Sequence, residues 1–248
     1  MATVIKTQEL TKVYGTQAAV DNLSISVDSG EIFGFLGPNG AGKTTTLLML
    51  LGLTEPTSGQ AQVLGLDPVR DPLGVKRQVG YLPENMGFYG DLTARENLAF
   101  VARLNRFPEA EIASRVESTL ETVGLTSEAD KLAGAYSRGM RQRLGIAELL
   151  VKEPQLVFLD EPTLGLDPEG INKMLDLITS LSKERGITVL LSSHLLHQVQ
   201  RICNRVGIMI QGRMVASGPI DQLAEQTFGQ GQETFTLEDV YMRYFTEA

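Results

Sequence analysis

Gly37-Pro38-Asn39-Gly40-Ala41-Gly42-Lys43-Thr44 combines residue types that suit one chemistry, the cradling of phosphate groups. Glycines let a backbone wrap close to an anion with no Cβ in the way. The N–H groups of such a loop, and those at the start of a following helix, then face the phosphates. Lys43 would reach the β- and γ-phosphates of a nucleotide, and the Thr44 hydroxyl would ligate Mg²⁺. Thr45, next along the chain, joins the expected nucleotide site. Farther on, Leu156-Val157-Phe158-Leu159-Asp160-Glu161 is four apolar residues followed by two acids. A buried strand delivers such acids at its carboxyl end, where α/β proteins bind ligands. Asp160 would hold Mg²⁺ through water. Glu161 would polarise an attacking water as general base, an effect of about 10²–10⁴-fold. Each acid alone also reads as a solvated strand end. The loop upstream makes the pair read as nucleotide hydrolysis.

These groups need strands and helices to carry them. Thr3–Thr7, Ala19–Val27 and Glu31–Leu36 are β-rich runs, with Asp28-Ser29-Gly30 as a turn signal. Leu47, Leu48, Leu50 and Leu51 predict a buried helix after the loop. The character then changes. Thr93-Ala94-Arg95-Glu96 has capping-box spacing. Helical stripes follow: Ala94, Leu98, Val101 and Ala102; Ile112, Val116, Leu120 and Val123, stopped by Gly124; and Met140, Leu144, Ala147 and Val151. Leu156–Leu159 and Ile187–Leu191 read as buried parallel strands. Ile171, Met174, Leu175 and Ile178 form a helix face between them. Val206–Ile210 and Met214–Ala216 read as strands joined by a tight turn. Phe228–Glu233, rich in Gly and Gln, is expected to be mobile, and Leu237, Val240, Tyr241 and Tyr244 predict a final helix. The pattern predicts one domain: an α/β core over residues 1–85 and 151–225, a helical insertion over 86–150, and a short tail with a helix over 226–248.

Bulk properties narrow the partners. No apolar run approaches the roughly 20 residues of a membrane helix. The opening MATVIKTQEL lacks an apolar signal segment, so a cytosolic protein is expected. A lone cysteine, Cys203, rules out an internal disulfide and reads as a small apolar residue on a helix. The net charge of -8 disfavours nucleic acid, whose binding rests on Lys and Arg, and none is expected as a partner. His194 and His197 without further ligands make a weak zinc case.

Tyr136-Ser137-Arg138-Gly139-Met140-Arg141-Gln142-Arg143 is similar to the signature of the ATP-binding cassette (ABC) ATPases, usually written LSGGQ and followed by Gln-Arg. With the loop and the acids in the same order, the resemblance covers nearly the whole chain. It implies the ABC ATPase fold: a P-loop NTPase core with an N-terminal antiparallel β subdomain and an inserted helical subdomain. It also implies two copies facing head-to-tail, the Ser137, Gly139 and Met140 segment of each closing over ATP held by the other's loop. Gly165-Leu166-Asp167 resembles the D-loop, which communicates across that dimer. Asp167 before Pro168 also reads as a helix cap. Ser192-Ser193-His194 resembles the switch segment, where His194 would contact the γ-phosphate and orient water. Tyr14 stands where relatives stack an aromatic on adenine. Gly80-Tyr81-Leu82-Pro83-Glu84 occupies the Q-loop, which touches the metal site.

Several positions depart from the family pattern. Glu84 stands where the family has glutamine, and a carboxylate there would bind Mg²⁺ more strongly or alter how the lobe senses nucleotide. Tyr136, Arg138 and Met140 replace leucine, glycine and glutamine of the signature. The form YSRGMRQR and the short tail look most like ATPase subunits of ABC-2-type exporters. The resemblance implies an ATP- and Mg²⁺-dependent ATPase on the inner face of the cell membrane. It would power movement, with export favoured, through a separate ABC-2-like permease. Ribosome-associated relatives usually carry two cassettes, and DNA-maintenance relatives a long coiled coil whose heptads are missing here. A kinase or GTPase reading leaves Tyr136–Arg143 and His194 unexplained.

Overall fold

The computed structural model describes residues 2–228 and 236–247. In chain order it runs β1 (Thr3–Tyr14), β2 (Gln17–Leu23), β3 (Ser26–Asp28), β4 (Ile32–Leu36), α1 (Lys43–Leu50), β5 (Ser58–Val63), α2 (Pro72–Gln78) and β6 (Val79–Leu82). Three helices follow: α3 (Ala94–Leu104), α4 (Glu109–Thr122) and α5 (Arg138–Leu150). The remainder is β7 (Leu156–Asp160), α6 (Pro168–Lys183), β8 (Thr188–Ser193), α7 (Leu196–Ile202), β9 (Arg205–Ile210), β10 (Arg213–Pro219), α8 (Ile220–Phe228) and α9 (Leu237–Glu247).

The larger sheet has the order β10-β9-β4-β8-β7-β6. All its pairings are parallel except the β9–β10 hairpin. β4, β7 and β8 are buried along their whole lengths. Strands covered on both faces read as unbroken apolar runs, which is why Leu156–Leu159 and Ile187–Leu191 were recognisable. The order has one consequence for chemistry. β8 lies between β4 and β7, and the three are parallel. The loop after β4, the acids ending β7 and the histidine after β8 therefore leave the sheet at the same, carboxyl end of the strands.

The smaller sheet is antiparallel and built on β1. It differs from the sequence reading. The first strand reaches Tyr14 instead of stopping at Thr7, and the single run expected over Ala19–Val27 is two strands. β1 is long enough to pair with β2 at one end and β3 at the other. The break between them is stitched by the buried Thr7 hydroxyl, which donates to Leu23 O and accepts from Ile25 N. β5, α2, β6 and α8 had no element assigned from sequence. β5 carries a weak alternation, with only Ala61 and Val63 buried, and α2 contains Gly74 and buries only Val75.

α3, α4 and α5 pack on one another through Leu98, Ala102, Ile112, Val116, Leu120, Leu144 and Ala147, all buried. Each Leu, Ile or Val contributes roughly 1.5–3 kcal/mol by leaving water. The capping box is present: Thr93 accepts from Glu96 N, and the Glu96 carboxylate accepts from Thr93 N. Cys203 sits at the end of α7, and burial pushes its thiol up. α9 buries Leu237 and Val240, and Leu237 N donates to Gln200 Oε1 on α7. Residues 229–233 of the stretch expected to be mobile lie outside the described residues.

Candidate functional site

β4 ends in Leu36, and the chain then winds through the glycine loop into α1. Two glycines have no room for anything larger. A Cβ on Gly37 (φ +155°) would lie 2.2 Å from Met209 O, and one on Gly42 (φ +102°) 2.2 Å from Ala19 O. Gly42 is also the N-cap of α1, and no side chain caps that end. The first N–H groups of α1 are left for an anion to satisfy. Lys43 folds back on the loop, donating to Gly37 O at 2.6 Å and Pro38 O at 3.2 Å. Its Nζ lies 3.7 Å from Glu161 Oε1. Burial lowers the Lys43 pKa from its ordinary value, opposed by the charges of Glu161 and Asp160.

A cavity of about 430 Å³ opens over the loop. It is lined by Tyr14, Pro38 to Thr45, Glu84, Asp160 and Glu161, with Gln17 and Ala19 of β2. That volume falls in the range of small-molecule sites. Tyr14 is half exposed beneath Lys12, whose Nζ is 5.0 Å from the ring centre. Glu84 is exposed on the rim. On β6, burial and the charge of Asp160 push the Tyr81 hydroxyl up to about 12.

The acids at the end of β7 are nearly buried. Asp160 Oδ2 accepts from the Thr44 hydroxyl at 2.9 Å, and its Oδ1 from the Ser192 hydroxyl at 2.5 Å. Ser192 Oγ in turn accepts from Glu161 N at 3.1 Å. Ser192 thus clamps both acids from β8, a role the sequence reading did not assign. Its signal is a polar pair, Ser192-Ser193, ending an otherwise apolar strand. Glu161 has φ +50°, a left-handed conformation costly for any residue with a Cβ. Its Oε2 lies 3.0 Å from His194 Nδ1, while the buried Oε1 has no hydrogen-bond partner.

Thr44 and Asp160 supply hard oxygens beside the phosphate cradle, the donors that suit Mg²⁺. Among the described residues no group of three or more His, Cys, Asp or Glu could hold a metal by itself. A donor set this small fits an ion that keeps waters and takes phosphate oxygens.

Ser137, Gly139, Met140 and Asp167 are not at this cavity. They line a second hollow of about 380 Å³ with Arg138, Arg143 and Lys173. Here Ser137 caps α5, its Oγ accepting from Met140 N at 3.3 Å. Asp167 caps α6, accepting from Gly170 N at 3.2 Å. Arg138 packs its guanidinium on Gly165, where a Cβ would come within 2.5 Å of it. Tyr136 is buried, and its hydroxyl donates to Glu128 O at 2.6 Å.

Comparison with known proteins gives consistent matches. The family model described as "ABC transporter" matches residues 20–164, and a model of an AAA domain matches residues 132–197. The chain is 48% identical over 226 residues to the bacitracin transport ATP-binding protein BcrA of Bacillus licheniformis, covering 91% of this chain and 73% of that protein. A solved ATP-binding subunit of an ABC transporter superposes with a TM-score of 0.85 at 31% identity, over 98% of this chain and 99% of that one. A dimeric post-hydrolysis ATP-binding cassette, MJ0796 bound to ADP and Pi, superposes with a TM-score of 0.78 over 87% of this chain and 98% of its own. At 24% identity that likeness is one of fold.

Proposed function

The chain belongs to the ABC transporter family, as an ATP-binding subunit with ATPase activity, and we propose that its catalytic site is the cavity between the glycine loop and the end of β7. One observation carries the assignment: the buried Glu161 Oε1, which has no hydrogen bond and is ion-paired only to Lys43 Nζ at 3.7 Å, at the wall of the glycine loop. Once Lys43 turns to the phosphates, that oxygen, which has no hydrogen bond, can accept a proton from water. Its other oxygen is already engaged by His194, so the carboxylate has one orientation available. In this reading His194 both steadies Glu161 and meets the γ-phosphate.

Lys43 exchanges its bonds to Gly37 O and Pro38 O for the β- and γ-phosphates of ATP. The loop N–H groups from Gly37 to Thr45 hold the remaining phosphate oxygens, and Tyr14 stacks on adenine. Thr44 and Asp160 would hold Mg²⁺, with Glu84 in reach from the rim. The ion would supply charge neutralisation across the transferring phosphate. Ser137, Gly139, Met140 and Asp167 complete the site from a second copy of the chain. Their separation from the loop within one copy supports this reading.

The work passes to a separate transmembrane permease of ABC-2-like type, with this chain lying against the inner face of the membrane. No described helix is long and apolar enough to cross a membrane. Leu53, Phe100 and Leu104 are exposed, and Leu53 lines a hollow with Tyr81, Val101 and Leu149 beside Lys76, Glu148 and Lys152, a mixed apolar and charged surface suited to such a partner. Export is the direction we favour, with a substrate chosen by the permease. Glu161→Gln should bind ATP, lose turnover by about 10²-fold or more, and accumulate as an ATP-bound dimer in size-exclusion chromatography. Turnover at the wild-type rate in that variant would remove Glu161 as the base.

A further inference from the structure

We propose that Thr163 and Gln198 are a positioning pair that keeps Glu161 and His194 in register during turnover. The inference rests on the catalytic roles given above to those two residues. Thr163 Oγ1 donates to Gln198 Oε1 at 2.5 Å, and both residues are only 3% exposed. Neither lines the cavity over the glycine loop. They touch the reacting groups only through the chain.

Glu161 leaves β7 in a left-handed conformation, which persists only where the surroundings over-determine it. The turn that follows is closed by Leu164 N to Glu161 O and by Leu166 N to Thr163 O. Its side-chain anchor is Thr163. His194 is also held on both sides. It follows the last residue of β8, and Leu195 N donates to Ser193 Oγ. On its other side α7 begins.

α7 has seven residues and no side-chain cap at its N-terminus. A helix that short does not hold its own orientation, so its contacts must. Its buried residues are Gln198 and Val199. Gln198 is in its first turn and reaches Thr163 across 35 residues of sequence. The bond therefore closes a ring: Glu161 to Thr163 along the chain, Thr163 to Gln198, Gln198 to His194 along the chain, and His194 Nδ1 to Glu161 Oε2. An apolar pair of the same shape would pack as well. A directional bond fixes the rotation of α7, and with it the place of the imidazole.

The test uses the purified full chain, with kcat, KM, nucleotide affinity and melting temperature measured for each variant. Gln198→Leu and Thr163→Val should each lower kcat about tenfold or more, with nucleotide affinity within about twofold of wild type. Gln198→Glu and Thr163→Ser keep the acceptor and the donor, and should restore kcat to within about threefold. The double variant should be no slower than the slower single one, because both lesions remove the same bond. Kcat unchanged in Gln198→Leu and Thr163→Val, or lost equally in the conservative variants, would overturn the proposal. Glu161→Gln run in parallel separates two failures. If it is inactive while Gln198→Leu and Thr163→Val turn over normally, the positioning pair alone falls. If it is active, the general base falls and takes the pair with it.

Discussion

Two glycines of the loop, Gly40 and Gly42, have similar backbones and different surroundings. Both have positive φ, +80° and +102°. A Cβ on Gly40 would meet nothing within 4 Å, whereas one on Gly42 would strike Ala19 O at 2.2 Å. Gly40→Ala should therefore cost only left-handed strain, roughly 1–2 kcal/mol. Gly42→Ala must also move β2 or the start of α1, the end that faces the phosphates. We expect Gly42→Ala to weaken nucleotide binding by about tenfold or more and Gly40→Ala by severalfold less. Fluorescent-nucleotide titration decides between them. Equal losses would mean that strain, and not crowding, makes the loop glycine-rich. The same contrast explains Lys43. Burial makes its charge costly, and the loop carbonyls and the carboxylates of Glu161 and Asp160 offset part of that cost.

The helices differ in how their first turns are satisfied. Asp71, Thr93, Ser137 and Asp167 cap α2, α3, α5 and α6 with side-chain oxygens. α1, which starts at the glycine loop, has no such cap, a trait it shares with α4 and α7. For Ser137 and Asp167 capping and the proposed contact across a dimer are compatible: Ser137 Oγ accepts from Met140 N and keeps its O–H to donate to a phosphate, and Asp167 accepts from Gly170 N through Oδ1 and keeps its other oxygen to accept. α5 also carries a half-buried acid. Burial pushes the Glu148 carboxyl from 4.5 up to about 7, in a hollow shared with Lys76, Lys152 and Tyr81. A raised pKa in the folded state means that the unfolded chain releases its proton first. Stability from this group is present below about pH 4.5 and is lost as pH rises through about 7. Glu148→Gln should remove that loss, on the order of 3 kcal/mol at most. Its melting temperature relative to wild type should rise between about pH 5.5 and about pH 8. A difference that stays flat over that interval would show that Glu148 is solvated.

In the whole molecule two hollows are separate, one holding the glycine loop and the acids and the other Ser137 and Asp167. If both act on one ATP, two copies must meet. Mixing Lys43→Ala chains with Ser137→Arg chains tests this. In the mixed dimer both lesions fall in one composite site and the other site is intact. The mixture should recover ATP-dependent dimerisation that neither variant shows alone, read by light scattering. No recovery would count against a shared site. α9 adds a contact of its own, through Leu237 N and Gln200 Oε1, to the helix that follows His194.

Much of this was legible from residue order. The loop, the apolar run ending in Asp160 and Glu161, the capping box at Thr93 and the stripes of α3 to α5 each lie within a few residues of one another. Periodicity and turn chemistry act over that range, so the elements could be read directly. β5, α2 and α8 escaped because each buries only one or two side chains. The site itself is different. Thr44 meets Asp160 across 116 residues, Glu161 meets His194 across 33, and Thr163 meets Gln198 across 35. Those meetings follow from the order β4-β8-β7 in a parallel sheet. No local pattern encodes that order, because parallel neighbours are joined by long crossovers and chosen by how the whole sheet packs. The sequence by itself determined which groups are the candidates to bind phosphate and activate water. Only the tertiary structure decided that Ser192 clamps both acids, that Glu161 is held between Lys43 and His194 with no hydrogen bond to one oxygen, and that Ser137 stands at a different hollow from the loop.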